Sequence, residues 1–152
     1  MTHAVQEAEP VEAAPSQAPQ ERIPDDDSEK QPFFILYLSG PEYVEELRRL
    51  SFWVERLLIP VYGQEASSAA PWCPRWREHQ EAVAHLHALW LAWQERTGPN
   101  ADATGPAQWH RDFLGPTMET LRSPSGPFAG CKPGIHREKE RPFIEDDGFL
   151  DF

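Results

Sequence analysis

Residues 74–96 read PRWREHQEAVAHLHALWLAWQER, and this stretch decides the fold. Trp76, Val83, Leu86, Trp90 and Trp93 recur at steps of three, four and seven, which places them on one side of a helix with Ala82 and Leu89 beside them. Continued through the gap between Trp76 and Val83, the same stripe passes through His79. Thr97-Gly98-Pro99-Asn100 is ordinary helix-stopping punctuation. A helix this rich in Trp and Leu on one face must bury that face against other elements.

Two neighbours supply them. On the N-terminal side, Ser39-Gly40-Pro41 opens a helix carrying Tyr43, Leu47, Leu50, Val54, Leu57 and Val61 at helical spacing. Trp53 and Leu58 widen its stripe, and Pro60 and Gly63 are expected to close it. Arg48, Arg49 and Arg56 alternate there with Glu45, Glu46 and Glu55, the pattern of an ion-paired solvent face. On the C-terminal side, a third helical region runs from Gly105-Pro106 to about Arg122, with Thr104 as N-cap and Trp109, Phe113, Met118 and Leu121 on its apolar side. Gly115-Pro116 is expected to break or kink it into two short helices. A small-residue loop, 64–73, joins the first two helices, and a turn-rich stretch from Ser123 to Phe128 leads to Cys131 and His136. Residues 33–38, a continuous apolar run, fit either a strand or a docking segment. The fold class is therefore mainly all-α: a Trp-rich three-helix core over residues 33–137 with a turn-rich C-terminal loop.

Charge marks the ends of that domain. Of the net −11, residues 1–32 carry −6, residues 33–137 carry −1, and residues 138–152 carry −4. Residues 1–32 are rich in Ala, Glu, Gln and Pro, hold the solvated run Asp25-Asp26-Asp27, and cannot bury enough surface to offset their chain entropy, which predicts disorder. The nearly neutral centre lacks the clustered Lys and Arg by which proteins release counterions from duplex phosphate. No apolar run is long enough to span a bilayer, and the start Met-Thr-His-Ala has neither the basic nor the apolar part of a secretion signal. A cytoplasmic location follows as the expectation. In that compartment Cys73 and Cys131 are thiols or metal ligands before they are a disulfide.

Those cysteines belong to the one constellation with chemistry in it. Five residues separate Cys73 from His79 and four separate Cys131 from His136, so each pair places a thiol and an imidazole near an element boundary. Together they compose the Cys2His2 donor set that structural zinc favours, and Gly130, Pro133 and Gly134 would let the second pair wrap closely. The spacing departs from the usual Cys-x2-Cys and His-x3-His forms. The competing account has two buried thiols, a hydrogen-bonded core His79 and a surface His136; a Cys73–Cys131 disulfide is the lesser alternative. His110 is a spare imidazole, His85 and His87 point in different directions, and His3 lies in the acidic tail. There is no Gly-x-Ser-x-Gly, His-Glu-x-x-His, phosphate loop or dinucleotide fingerprint, and a Cys73–His79 nucleophile lacks an orienting third group. No catalytic residue is assigned.

Several blocks resemble an uncharacterised actinobacterial family of hypothetical proteins from plasmids and other mobile elements. They are Pro60-Val61-Tyr62-Gly63, Pro71-Trp72-Cys73-Pro74-Arg75-Trp76 with His79, Leu86-His87-Ala88-Leu89-Trp90-Leu91-Ala92-Trp93, Trp109-His110-Arg111-Asp112, and Gly126-Pro127-Phe128 with Cys131 and His136. The resemblance spans Trp53 to His136 and implies accessory work in replication, transfer or maintenance. Phe113 stands where relatives are expected to carry His.

Two functions remain. As a protein-interaction adaptor, the chain would dock through its tail, where Phe143, Ile144, Phe149, Leu150 and Phe152 interleave with acids. That segment loosely resembles the acidic, Phe-terminated tip of bacterial single-strand-binding proteins, which seats in basic, apolar pockets. As a nucleic-acid accessory factor, it would bring Arg75 and Arg77 to phosphate, with the acidic tails as intramolecular competitors.

Overall fold

The structure is a computed structural model that describes residues 34–151. The expected tail over 1–32, together with Phe33 and Phe152, lies outside the described residues. Three helical rods form the domain. The first comprises α1 (Gly40–Trp53), a π-helical turn (Val54–Leu58) and α2 (Ile59–Tyr62). The second is α3 (Gln80–Thr97). The third comprises α4 (Gly105–Gln108), a second π turn (Trp109–Leu114) and α5 (Gly115–Leu121). Among the described residues no strand forms, and one antiparallel bridge pairs Lys132 with Ile135. The all-α expectation holds.

Helix α3 is central and contacts both α1 and the third rod. Trp53, Trp93 and Trp109 meet between the rods, Trp93 and Trp109 in a T-shaped contact at 4.8 Å. Trp109 is fully buried and its Nε1–H donates to the Leu89 carbonyl at 3.2 Å, so the largest apolar side chain also satisfies its polar atom. At the α3–α4 crossing, a Cβ on Gly105 would lie 2.2 Å from the Arg96 carbonyl, which restricts that close approach to glycine.

Several boundaries differ from expectation, each for a physical reason. Pro60 does not close the first rod, which runs to Tyr62 and stops at Gly63. Gly115-Pro116 does not break the third, where Gly115 keeps helical angles. In both rods a π turn lies immediately ahead of the proline. Its wider hydrogen-bond ring re-registers the carbonyls where proline lacks an N–H. The same insertion advances the buried face by one residue, so Leu50, Val54 and Leu58 are buried whereas Val61 is 64 % exposed.

The second helix is shorter than 74–96. Trp76–Glu78 is a 3-10 turn, and His79 has extended angles (φ −97°, ψ 101°) at the N-cap of α3. Thr104 occupies the expected N-cap position of α4 but makes no side-chain cap bond. The apolar run near the start is a 3-10 turn, Ile35–Tyr37, with Ile35 buried and Leu36 and Tyr37 exposed. His87 anchors it: Nδ1 accepts the Ile35 N–H at 3.3 Å, while Nε2–H is 2.9 Å from a Glu46 carboxylate oxygen on α1.

Candidate metal centre

The site is assembled from two irregular segments and one helix start. Cys73 follows the buried Pro71, and the chain then turns through Trp76–Glu78, with the His79 N–H bonded to the Trp76 carbonyl at 3.1 Å. Because His79 is the N-cap of α3, its carbonyl begins the helix (Val83 N–H, 3.0 Å) while its ring remains outside the helical stripe. On the other side, Pro127 and Phe128 are buried, and the Cys131 N–H bonds back to the Phe128 carbonyl at 2.9 Å. Gly130 has φ +82°, and a Cβ there would meet the Arg137 side chain at 2.6 Å. Paired backbone bonds between Lys132 and Ile135, both 2.9 Å, then reverse the chain and deliver His136 beside Cys131.

Cys73, His79, Cys131 and His136 converge, with one ligand atom from each lying within 4.8 Å of all the others. The close contacts are crossed relative to the sequence pairs. Cys73 Sγ lies 3.2 Å from His136 Nδ1, and Cys131 Sγ lies 3.5 Å from His79 Nε2. Phe128 packs edge-on against His79 at 5.3 Å and against Trp72 at 4.8 Å, closing one wall. Both thiols and His79 are buried, and the His136 side chain is 8 % exposed. Both cysteines are free thiols, so the disulfide alternative is not the state described.

Burial favours the uncharged forms of Cys73 and His79, which keeps the imidazole free to ligate and opposes loss of the thiol proton. Burial pushes the Cys73 thiol above its ordinary value, opposed by a hydrogen bond from the Arg75 backbone. Burial holds His79 below the ordinary imidazole range, and the neighbouring His136 lowers it further. The Arg137 N–H donates to Cys131 Sγ at 3.4 Å, a backbone donor that stabilises negative charge on that sulfur. For a tetrahedral ion with bonds of about 2.3 Å to sulfur and 2.0–2.1 Å to nitrogen, the sulfur–nitrogen edge is about 3.5 Å. The two closest sulfur–nitrogen distances fit that edge, and the four residues could hold a metal ion.

The remaining predicted residues are elsewhere. His110 is exposed, held between the Tyr62 hydroxyl and the Pro106 carbonyl, each at 2.6 Å, and is no substitute for His136. His85 faces Glu81 at 3.9 Å. Arg75 and Arg77 are ion-paired with Glu78 and Glu55, while Arg48 and Arg49 pair with Glu45 and Glu46. Phe143, Ile144, Phe149 and Leu150 are all strongly exposed. The role of His87 was missed, since an imidazole on an apolar face two residues from another carries no distinguishing spacing.

The whole metal quartet lies inside the span, residues 47–145, that matches the family described as a domain of unknown function, DUF4913. The chain belongs to this family. No curated protein matches it, and no solved structure does. The DUF4913 span covers the three-rod core from Leu47 onward and ends within the C-terminal segment at Glu145. Among the described residues no helix is long and apolar enough to cross a membrane.

Proposed function

We propose that the chain is a non-enzymatic binding module: a small helical domain stapled by one structural zinc ion, which presents its C-terminal tail to a protein partner. The observation that carries this reading is the convergence of four donors, three of them buried and His136 partly so, from distant parts of the chain within 4.8 Å. Two thiolates neutralise a divalent ion, and with two imidazoles they complete a tetrahedral shell. Four protein ligands leave no position for a reacting water, the distinction between structural and catalytic zinc. Soft sulfur donors in that geometry favour zinc over magnesium or calcium.

The partner-binding part rests on chemistry. Phe143, Ile144, Phe149 and Leu150 are exposed among Glu145, Asp146, Asp147 and Asp151, a surface suited to a basic groove with apolar pockets. The family resemblance directs such binding toward accessory work in mobile-element replication, transfer or maintenance. The nucleic-acid alternative is weaker because Arg75 and Arg77 already engage carboxylates.

Metal analysis of protein purified without a metal-binding tag tests the first part. About one zinc per chain is expected, and none in Cys131→Ser. A wild-type chain that takes up no zinc after refolding with the ion refutes it. A peptide of residues 138–152 should compete with the full chain for its partner, and partner capture that survives truncation after Arg141 refutes the tail as the docking element. Salt-sensitive DNA binding revealed by removing both acidic tails would favour the nucleic-acid alternative.

A further inference from the structure

The metal quartet leaves one polar atom unaccounted for. With His136 Nδ1 directed at Cys73 Sγ, Nε2 is turned away from the centre, and this buried nitrogen has no hydrogen-bond partner. Its side chain is 8 % exposed, so water does not readily replace a protein acceptor. The nearest carboxylate oxygen is Glu78 Oε2, at 3.8 Å. Glu78 is in turn gripped by the Arg75 guanidinium.

We infer that Glu78 and Arg75 are the positioning residues of the metal centre, Glu78 accepting the Nε2–H of His136 and Arg75 fixing Glu78. The inference rests on the metal reading above. An imidazole that binds a cation through Nδ1 must carry its proton on Nε2, and that N–H requires an acceptor. A carboxylate there fixes the tautomer, orients the ring and makes the ligand more basic. Closing 3.8 Å to hydrogen-bond distance takes a movement of less than about 1 Å, within the freedom of a glutamate side chain that is 44 % exposed. His79 bonds through its other nitrogen, since its Nε2 faces Cys131. The centre therefore uses mixed ligation, Nδ1 from His136 and Nε2 from His79. It also follows that Cys73, Arg75, Glu78 and His79 act as one unit, with two residues reaching the metal and two holding its far-side ligand.

The test titrates zinc into wild type, Glu78→Ala and Arg75→Gln against a competing chelator, and records long-range proton–nitrogen spectra of the zinc-loaded histidines. Wild type is expected to show His136 metallated at Nδ1 with a slowly exchanging Nε2–H. Glu78→Ala should lose about 10- to 100-fold in zinc affinity, and its Nε2–H should exchange faster. Arg75→Gln, which keeps its backbone N–H, should lose less. A Glu78 whose role is merely structural would lower the melting temperature without altering the His136 signals. Affinity within two-fold of wild type for Glu78→Ala, or His136 metallated at Nε2, overturns the inference and leaves the zinc site standing. A wild type that binds no zinc overturns both.

Discussion

Removal of the metal should free the turn-rich segment after Leu121 from the helical scaffold and lower the stability of the domain, and the size of the effect can be worked from the chain. Cys131 and His79, the closest ligands from opposite sides, are 52 positions apart, and Cys73 and His136 are 63 apart. The ion then acts as a cross-link closing a loop of that length. Chain entropy alone assigns such a link about 4 kcal/mol. For a domain of this size, a change of 1 kcal/mol moves the midpoint by about 4 °C, so complete chelation should lower the melting temperature by about 15 °C. The assay is far-UV circular dichroism on zinc-loaded and chelated protein, both kept reduced so that Cys73 and Cys131 cannot pair. Added zinc should restore the midpoint, and Cys131→Ser should melt like chelated wild type and ignore the chelator. A shift under about 3 °C on complete removal of a verified, stoichiometric zinc would show that the four residues do not staple the fold.

Three further outcomes follow from other contacts. His87→Leu keeps the volume but strips the partner from the buried Ile35 N–H and from Glu46, which should cost about 2–4 kcal/mol in denaturant unfolding. The Ile35 amide should exchange faster, and an unchanged exchange rate would show that the His87 bond does not hold the N-terminal turn. In the metal-free chain, burial depresses His79 below its unfolded value of about 6.5. Its contribution is therefore present above that pH and is lost as pH falls, because the unfolded chain then binds the extra proton. The urea midpoint with chelator should drop from pH 8 to pH 5 more for wild type than for His79→Gln, and equal slopes would contradict this. Truncation after Arg141 removes side chains that are largely exposed and should change stability by no more than about 0.5 kcal/mol, measured by the same urea midpoints.

Much of the scaffold is legible in the sequence because apolar spacing reports a helical face directly. Val83, Leu86 and Leu89 on α3, Leu50 on α1 and Val54 at the start of the π turn are all buried as the stripes predict. Spacing cannot reveal a π turn, since an inserted residue leaves the local pattern helical on both sides. Hence the stripe places Val61 inside, and the proline rules expect Pro60 to help Gly63 close the first helix and Gly115-Pro116 to break or kink the third. His79 lay on the apolar stripe, which marked it as buried but not as the residue that ends the 3-10 turn. The metal quartet was legible from two Cys–His pairs at element boundaries. Its crossed contacts were not, because they depend on how residues 127–136 return across the start of α3.

That return path bears on the competing account of the cysteines. Between Leu121 and the tail no helix forms, and Pro127, Phe128 and Cys131 are the fully buried residues there. Arg122 binds the 64–70 loop through the carbonyls of Gln64, Glu65 and Ala70 rather than its own segment. Little apolar area is therefore available to fix residues 129–137. As simple buried thiols, Cys73 and Cys131 would need only the apolar core to which both belong. Each also faces an imidazole nitrogen, Cys131 accepts a backbone N–H, and His136 leaves a buried nitrogen unpaired. Uncompensated, such a polar cluster weakens a small core. A divalent ion at its centre would convert the same atoms into four bonds and supply cohesion to this segment.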